Sequence, residues 1–326
     1  MRSLLVLGAL LAIPFVVGTA VRPGDPSRDE VFRFHDQAIV ESSGLVADGG
    51  RFVTTNDSGD AGRIFTVDDS GDTVGVTSWS DDPVDVEALA PADPGHVWVG
   101  DIGDNSATRP DVTVTRVSVG PGDRTETAPA YRLVYEGGPR DAEALLTDPT
   151  DGRLYVASKE VFGGMLFAAP TRLDPARDNR LTPVGNVTGL VTDGAFFPDG
   201  RHLVLRTYTT ALVYSFPDLE LVGEVRLPAQ QQGEGLAVVG EDTLYLSSEG
   251  VNSPLLTMTL PTEVVRAMAP TSSTTAPASA SVAPATAPSA ESREPGEPQR
   301  SPWPWLVGLG VMALLVITLL RALRPR

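Results

Sequence analysis

The sequence predicts an all-β fold, a β-propeller of four-stranded blades, and this prediction depends on an internal repeat. Five similar segments recur along the chain at intervals of 41 to 56 residues. Each has two short runs of strand-forming residues around a turn rich in Asp, Gly or Pro, which is typical of a β-hairpin. Hairpins repeated at this spacing are the pattern of propeller blades. The segments begin at Ser43, Glu87, Glu143, Asp193 and Glu234.

The strands that follow each hairpin set the number of blades. A third apolar strand follows in all five copies and a fourth in the first four, and the longest interval holds a Pro, Gly and Thr-rich insertion around 120–129. A strand at 31–35 precedes the first copy. We expect it to complete the fifth blade, because an open sheet edge invites aggregation. Five blades are favoured, six are possible if one copy has diverged, and a β-sandwich is the alternative architecture.

The two ends of the chain differ from the repeat region, which spans 29–266. Residues 1–20 carry Arg2, an apolar run and the small residues Gly18-Thr19-Ala20. This pattern predicts a secretory signal peptide, with a short N-terminal membrane anchor as the alternative. Residues 267–302 are dominated by Ala, Pro, Ser and Thr. Such a composition predicts a disordered stalk, since it buries too little apolar surface to offset conformational entropy.

The segment 303–320 predicts a transmembrane helix. It contains no charged residue and precedes a tail, 321–326, with three arginines. A helix of this length, rising ~1.5 Å per residue, just crosses a ~30 Å hydrocarbon core. Because basic tails stay in the cytoplasm, we expect a single-pass protein of the cell membrane with its propeller outside the cytoplasm. The alternative is a buried core helix.

Composition excludes several classes of function. The chain has no cysteine, so disulfides, thiolate metal sites and cysteine nucleophiles are absent. It has 42 acidic against 25 basic side chains, a formal net charge of −17. Such a protein repels the phosphates of nucleic acids, whereas its charge suits cations and cationic partners. No Gly-x-Ser-x-Gly elbow occurs, so a serine hydrolase has no support.

Polar residues cluster where the repeat places one face of the propeller. The start of the first strand of a blade and the end of the second emerge on the same face, around the channel. Carboxylate and amide oxygens are the ligands of Ca²⁺, so a calcium-type cation is the expected cofactor. The candidate metal ligands are Glu87, Asp101, Asp104, Asn105 and Glu143. The candidate ligand-binding residues are Asn56, Asp57, Lys159, Arg206, Glu234 and Glu249.

Two alternatives remain open for these residues. Asp and Asn at strand ends commonly cap turns by accepting hydrogen bonds from backbone amides. Lys159 and Arg206 are basic residues on an acidic face. They either neutralise the acids or bind an anionic ligand.

Three motifs in this region resemble a known group. They are the NDSG sequence at 56–59, the D-x-E-A-L sequences at 85–89 and 141–145, and the GDIGDN sequence at 100–105. On these motifs the chain resembles bacterial exported propellers of the TolB-like, NHL-like and gluconolactonase-like grouping. The resemblance is good over about 40–160 and implies little about the substrate.

Two functions are compatible with these observations. The first is a surface binding module whose channel mouth recognises a small molecule, sugar or peptide, with or without a bound calcium-type cation. The alternative is a metal-dependent hydrolase of lactonase, esterase or phosphatase type, in which the cation polarises a carbonyl or phosphoryl oxygen. The sequence assigns no general base, so whether the protein is an enzyme stays open.

Overall fold

The computed structural model describes residues 28–269 apart from 58, 81, 82 and 162. The predicted signal peptide, transmembrane helix and basic tail lie outside these residues, as does nearly all of the predicted stalk. Among the described residues, no helix is long and apolar enough to cross a membrane.

The described chain consists of short strands that end in one helix, as the all-β prediction requires. In chain order the strands are β1 (Arg28–Arg33), β2 (Ser42–Asp48), β3 (Arg51–Asn56), β4 (Arg63–Val67), β5 (Thr73–Trp79), β6 (Val86–Pro91), β7 (His96–Asp101), β8 (Val112–Ser118), β9 (Arg124–Glu126), β10 (Ala130–Tyr135), β11 (Ala142–Thr147), β12 (Leu154–Ser158), β13 (Met165–Ala168), β14 (Asn179–Asn186), β15 (Val191–Phe196), β16 (His202–Thr207), β17 (Thr210–Ser215), β18 (Leu221–Arg226), β19 (Gly233–Val239), β20 (Thr243–Ser248) and β21 (Pro254–Thr259). The helix is α1 (Thr262–Met268).

The strands form five antiparallel blades of four strands each. Blade 1 is β2-β3-β4-β5, blade 2 is β6-β7-β8-β10, blade 3 is β11 to β14 and blade 4 is β15 to β18. Blade 5 is β19-β20-β21 and is completed by β1, which pairs antiparallel with β21. The expected closure of the last blade by the N-terminal strand is therefore confirmed.

The blades close into a ring. Their first strands, β2, β6, β11, β15 and β19, contact one another in this order, and β19 contacts β2. Each of the five junctions between blades holds its own hydrophobic cluster. At the junction of blades 5 and 1, Phe32 packs edge-on against Phe52. At the junction of blades 2 and 3, Tyr135 packs against Phe167.

These five clusters take the place of one central core. Because the β-strands alternate their side chains, a buried blade presents one apolar face to each neighbour. All of these contacts lie between residues 28 and 269, so this segment contains the whole closed ring. The prediction of a β-propeller is confirmed.

Two features of the blades' outer edges were not expected from the sequence. The 120–129 insertion contains β9, which pairs in parallel with β5 and adds a fifth strand to blade 1. The outer strand of blade 2, β10, pairs in parallel with β14 of blade 3.

Helix α1 packs on β18, where Val264 occupies the space left by Gly223. The predicted domain boundary at 266 thus falls within this helix.

Candidate functional site

A β-bulge at the start of each inner strand builds the site. In all five blades the pairing of the first strand with the second is irregular at this point, which re-aims the side chain of the extra residue. The bulged residues are Ser43 with Gly44, Glu87, Glu143, Thr192, and Glu234 with Gly235. Neighbouring bulges touch, because the Ser43 hydroxyl donates to the carbonyl oxygen of Glu87 at 2.8 Å.

The chain that follows each second strand returns to the same end of the channel. The backbone N–H groups of Asp57, Gly103, Lys159 and Glu249 each donate to the carbonyl oxygen of a residue just before or at the start of the inner strand of their own blade. These four residues are therefore structurally equivalent. We call this end of the channel the acidic mouth; its polar side chains are Asp57, Asp85, Glu87, Glu143, Lys159, Tyr208, Glu234 and Glu249.

Three carboxylates of the acidic mouth lie close enough to share one metal ion. One oxygen each from Asp57, Asp85 and Glu87 lies within 4.8 Å of the other two. Gly103 makes room for them, since a Cβ at this position would lie 2.4 Å from Asp85 Oδ2 and 2.7 Å from Glu87 Oε1. Blade 2 thus has a glycine where the equivalent positions of blades 1, 3 and 5 carry a charged side chain.

Burial makes this cluster electrostatically unfavourable as it stands. Glu87 is only 4% exposed. Burial, followed by the charges of Glu143 and Asp57, raises the pKa of Glu87 to about 10. Burial and the charge of Asp57 also raise the pKa of Asp85. A cation or a bound proton relieves such a cluster.

The next blade contributes an ion pair. Lys159 Nζ contacts Glu143 Oε1, and it also lies 3.3 Å from the hydroxyl of Tyr208 in blade 4. Burial raises the pKa of Glu143 to about 7, although Lys159 acts in the opposite direction. For Lys159, burial alone would lower the pKa, but Glu143 raises it above its ordinary value. Lys159 therefore neutralises an acid of the mouth, one of the two roles considered for it.

Blade 5 contributes a pair of carboxyl groups, Glu234 and Glu249. Glu234 is 5% exposed, and its Oε2 is buried without a hydrogen-bond partner among the described residues. Burial, together with the charges of Glu249 and Glu143, raises the pKa of Glu234 to about 8. Burial and the charge of Glu41 raise the pKa of Glu249. Gln232 donates to Glu249 Oε1 at 2.6 Å.

Only Glu87 and Glu143 of the candidate metal ligands point into the acidic mouth. Asp101 forms an ion pair with Arg109 at 2.8 Å and accepts hydrogen bonds from the N–H groups of Val84 and Asp85. Asp104 accepts a hydrogen bond from the N–H of Arg109, and Asn105 is exposed. Asp101 and Asp104 therefore accept hydrogen bonds from backbone amides of the adjoining loops, which is the turn-capping role considered as the alternative.

The candidate ligand-binding residues also divide into two groups. Asp57, Lys159, Glu234 and Glu249 lie in the mouth. Asn56 is 3% exposed and uses both ends of its amide to join the backbone at Ala38 and Val40.

Arg206 is fully buried and donates to the carbonyl oxygens of Gly235 and Ser247 and to Gln230 Oε1. Its guanidinium is thus enclosed by backbone and does not reach the opening.

In blade 4, two residues lie one or two positions away from where the alignment of the repeats places them. Asp193 was aligned with the inner glutamates, but Thr192 occupies the bulge, and Asp193 accepts hydrogen bonds from the N–H groups of Gly194 and Leu236. Tyr208, not Arg206, follows the second strand of blade 4 into the mouth. Asp85 was missed as a candidate although it begins the D-x-E motif, and that motif was the available signal.

Comparisons with known proteins find only distant similarity. No family model matches the chain, and no curated protein matches it. One similar solved structure is a gluconolactonase from Xanthomonas campestris, with 15% identity over 75% of this chain and 99% of that chain and a TM-score of 0.41. Another is a glucose dehydrogenase, with 12% identity over 72% of this chain and 100% of that chain and a TM-score of 0.42.

A gluconolactonase is thus among the similar structures, whereas the resemblance based on the three motifs stays a prediction. At these identities and TM-scores, the likeness carries no argument about the chemistry of the acidic mouth.

Proposed function

We propose that the acidic mouth binds a hard divalent cation such as Ca²⁺ and, through it, an oxygen-rich small molecule. The observation that carries this proposal is the group of Asp57, Asp85 and Glu87, with an oxygen of each within 4.8 Å of the others. Glu87 is buried and Asp57 and Asp85 are half-buried, so the three carboxylates repel one another at this separation, and a divalent cation reverses the sign of that interaction.

Two further observations fit a cation at this place. The space beside Asp85 and Glu87 is kept open by Gly103. The buried Oε2 of Glu234, whose charge also acts on Glu87, has no partner among the described residues. Oxygen ligands are those that Ca²⁺ and Mg²⁺ prefer, and the exposed side of the site leaves room for water or ligand oxygens.

Hydrolysis of a lactone or ester is the second candidate function, and the surroundings of the cluster favour it. A bound cation polarises a carbonyl oxygen and lowers the pKa of water. Glu234 lies at the same opening with a pKa raised to about 8, near the operating pH that general acid–base catalysis requires. Lys159 and the hydroxyl of Tyr208 are positioned to donate hydrogen bonds to a substrate oxygen.

The proposal includes the location of the protein. The signal-peptide pattern of 1–20 and the apolar segment 303–320 support an exported propeller held at the cell membrane. Its ligand is then a small molecule, sugar or peptide outside the cytoplasm. Protease treatment of intact cells tests this, because an exported propeller is cleaved from the stalk and a cytoplasmic one is protected.

Titration calorimetry with Ca²⁺, Mg²⁺ and Mn²⁺ tests the cation site. The segment 22–271 contains the closed ring, and Asp85→Asn and Glu87→Gln each remove one ligand charge. We expect a single site in the wild type and at least about a tenfold loss of affinity in each variant. Asp199→Asn is the matched control, since Asp199 lies in a turn of blade 4 beside His202. Equal affinity in all four proteins would exclude the site.

Turnover separates the two functions. D-glucono-δ-lactone and p-nitrophenyl esters are the substrates to test, because a cation in the mouth would polarise the carbonyl oxygen of a lactone or an ester. Cation-dependent hydrolysis whose kcat at saturating cation is lowered by Glu234→Gln would support the hydrolase. Cation binding without hydrolysis of either substrate class would favour the binding module over the hydrolase.

A further inference from the structure

The opposite end of the channel holds a cavity of a different kind. Its volume is about 730 Å³, within the range of about 300 to 1,000 Å³ that small-molecule sites occupy. The inner strands start at the acidic mouth, and their far halves line this cavity. The lining residues from these strands are Leu45–Ala47, Leu89, Pro91, Leu146–Thr147, Gly194–Phe196 and Leu236–Val238.

Leucines separate this cavity from the acidic mouth. Leu45, Leu89, Leu146 and Leu236 come from four different blades, and each is at most 2% exposed. Their side chains form the apolar floor of the cavity, and no side chain of the acidic mouth is among those that line it.

An aromatic wall stands on the side of blade 2. Trp98 and Tyr131 both line the cavity, and their rings meet edge to face with centroids 5.6 Å apart. Neither ring is fully buried. Aromatic rings fixed in this way offer a face or an edge to another ring at little entropic cost.

The charged groups at the cavity are already engaged. Arg116 lies opposite Trp98 in the sheet and forms an ion pair with Asp93. Asp148 is 5% exposed and accepts hydrogen bonds from the N–H and hydroxyl of Thr150. With two carboxylates and one guanidinium, the lining does not favour an anion. The lining therefore favours an uncharged molecule.

We propose that this cavity is a second binding site, which takes an uncharged, largely apolar molecule with an aromatic or fused-ring body. The site is independent of the acidic mouth and of any cation there. Its floor and wall supply apolar contact, and the paired groups at its rim leave no charge for the ligand to neutralise.

Fluorescence titration of the segment 22–271 with N-phenyl-1-naphthylamine tests the site. This probe is uncharged, and 8-anilinonaphthalene-1-sulfonate is its near-isosteric anion. We expect saturable one-to-one binding of the uncharged probe, weaker binding of the anion, and no change of either on addition of Ca²⁺ or EDTA. Absence of saturable binding, or a preference for the anion, would overturn the proposal.

Filling the cavity locates the bound probe. Ala92 and Thr147 line it from different blades. Ala92→Trp and Thr147→Phe should each weaken binding at least about tenfold. Ala176→Trp is the control, because Ala176 is exposed in the loop before β14. Unchanged affinity in a folded cavity-filling variant would contradict the site.

A wild-type measurement keeps the test independent of the variants. Trp79 and Trp98 are the only tryptophans in the segment 22–271, and only Trp98 lines the cavity. The indole N–H resonance of Trp98 should shift on binding, while that of Trp79 should not. The reverse pattern would overturn the proposal.

The chain itself is the competing occupant. Met268 and Ala269 lie in a groove with Pro198, which also lines the cavity. The residues that follow are rich in Ala and Pro. If the segment 22–302 fails to bind the probe that the segment 22–271 binds, the chain's own residues fill the cavity and the small-molecule site is wrong.

Discussion

The two ends of the channel are built by the same five strands and yet have opposite chemistry. At the acidic mouth each inner strand begins with a bulge. In blades 2, 3 and 5 the bulge turns a Glu toward the opening, whereas Ser43 and Thr192 donate hydrogen bonds to the backbone of the next inner strand. At the far end the same strands are regular, and four of them contribute leucines. One bulge per blade therefore separates the polar side chains at the start of the inner strand from the apolar side chains two or three residues later. The acidic mouth requires a partner for its charge, whereas the apolar cavity does not.

A layer of buried polar contacts separates the two ends on the side of blades 4 and 5. Asp193 Oδ2 accepts a hydrogen bond from the N–H of Leu236 at 2.6 Å. The guanidinium of Arg206 bonds the carbonyl oxygens of Gly235 and Ser247 across the junction. Burial raises the pKa of Asp193 and lowers that of Arg206 to about 10, while their opposite charges offset part of both effects. This layer fixes blade 5 against blade 4 just below the mouth.

The largest effect is expected when this layer is broken. Arg206→Leu leaves two backbone carbonyls, Gln230 Oε1 and the Asp193 carboxyl without their buried donor or counter-charge. Loss of one member of such a network typically costs ~3 to 5 kcal/mol. Urea unfolding of the segment 22–271 measures the free energy of unfolding. Arg132→Leu, which breaks an exposed ion pair with Asp178, should cost less than ~1 kcal/mol. Similar costs for both variants would show that the layer contributes nothing.

The pH dependence of stability distinguishes the charged end from the apolar end. Glu143, Glu234 and Glu87 have folded pKa values raised to about 7, 8 and 10. Between pH 5 and 9 the folded state therefore holds more protons than the unfolded state, and stability falls as pH rises. Lys159, with its pKa also raised, stays protonated throughout this window.

In EDTA we expect the free energy of unfolding to fall by at least ~2 kcal/mol from pH 5 to pH 9, because each unit by which a carboxyl pKa is raised corresponds to ~1.4 kcal/mol. A saturating divalent cation should abolish most of this fall, because it replaces the protons. Thermal melts at five pH values with and without Ca²⁺ measure both slopes. A stability that rises with pH in EDTA would contradict the buried carboxylate cluster.

A smaller change should result from closing the space that Gly103 leaves. Gly103→Ala places a Cβ within 2.7 Å of both Asp85 and Glu87, so the two carboxylates must separate. We expect the cation affinity to fall about tenfold, equivalent to ~1.4 kcal/mol. Calorimetric titration measures it. Gly100→Ala in the same loop is the control, since its Cβ would meet no atom closer than 3.4 Å. Equal losses in both variants would point to a general disturbance of the loop.

The sequence predicted the propeller well because the repeat carries its own evidence of strand count and order. The closure by β1 followed from one unassigned strand and one incomplete blade. The site was predicted less well, because the repeat fixes which strands meet at the mouth but not the register of each strand to a single residue. That is why Asp193 was placed where Thr192 lies, and why Arg206 was placed where Tyr208 lies. The partner of Asp101 was also hidden, since Arg109 approaches it through a loop that no periodicity describes.

The smallest effect is expected at Asn105, a residue that the sequence alone placed among the metal ligands. Asn105 is exposed at the tip of the GDIGDN loop, while Gly103 two residues earlier contacts the carboxylates. Asn105→Ala should therefore change the cation affinity by less than ~0.5 kcal/mol, as is usual for surface positions. Calorimetry beside Glu87→Gln measures the difference. A loss in Asn105→Ala as large as that in Glu87→Gln would move the cation out of the channel and onto this loop. The charge of the acids in the mouth would then be neutralised by protons alone. The two ends of the channel would no longer differ in whether they bind a cation.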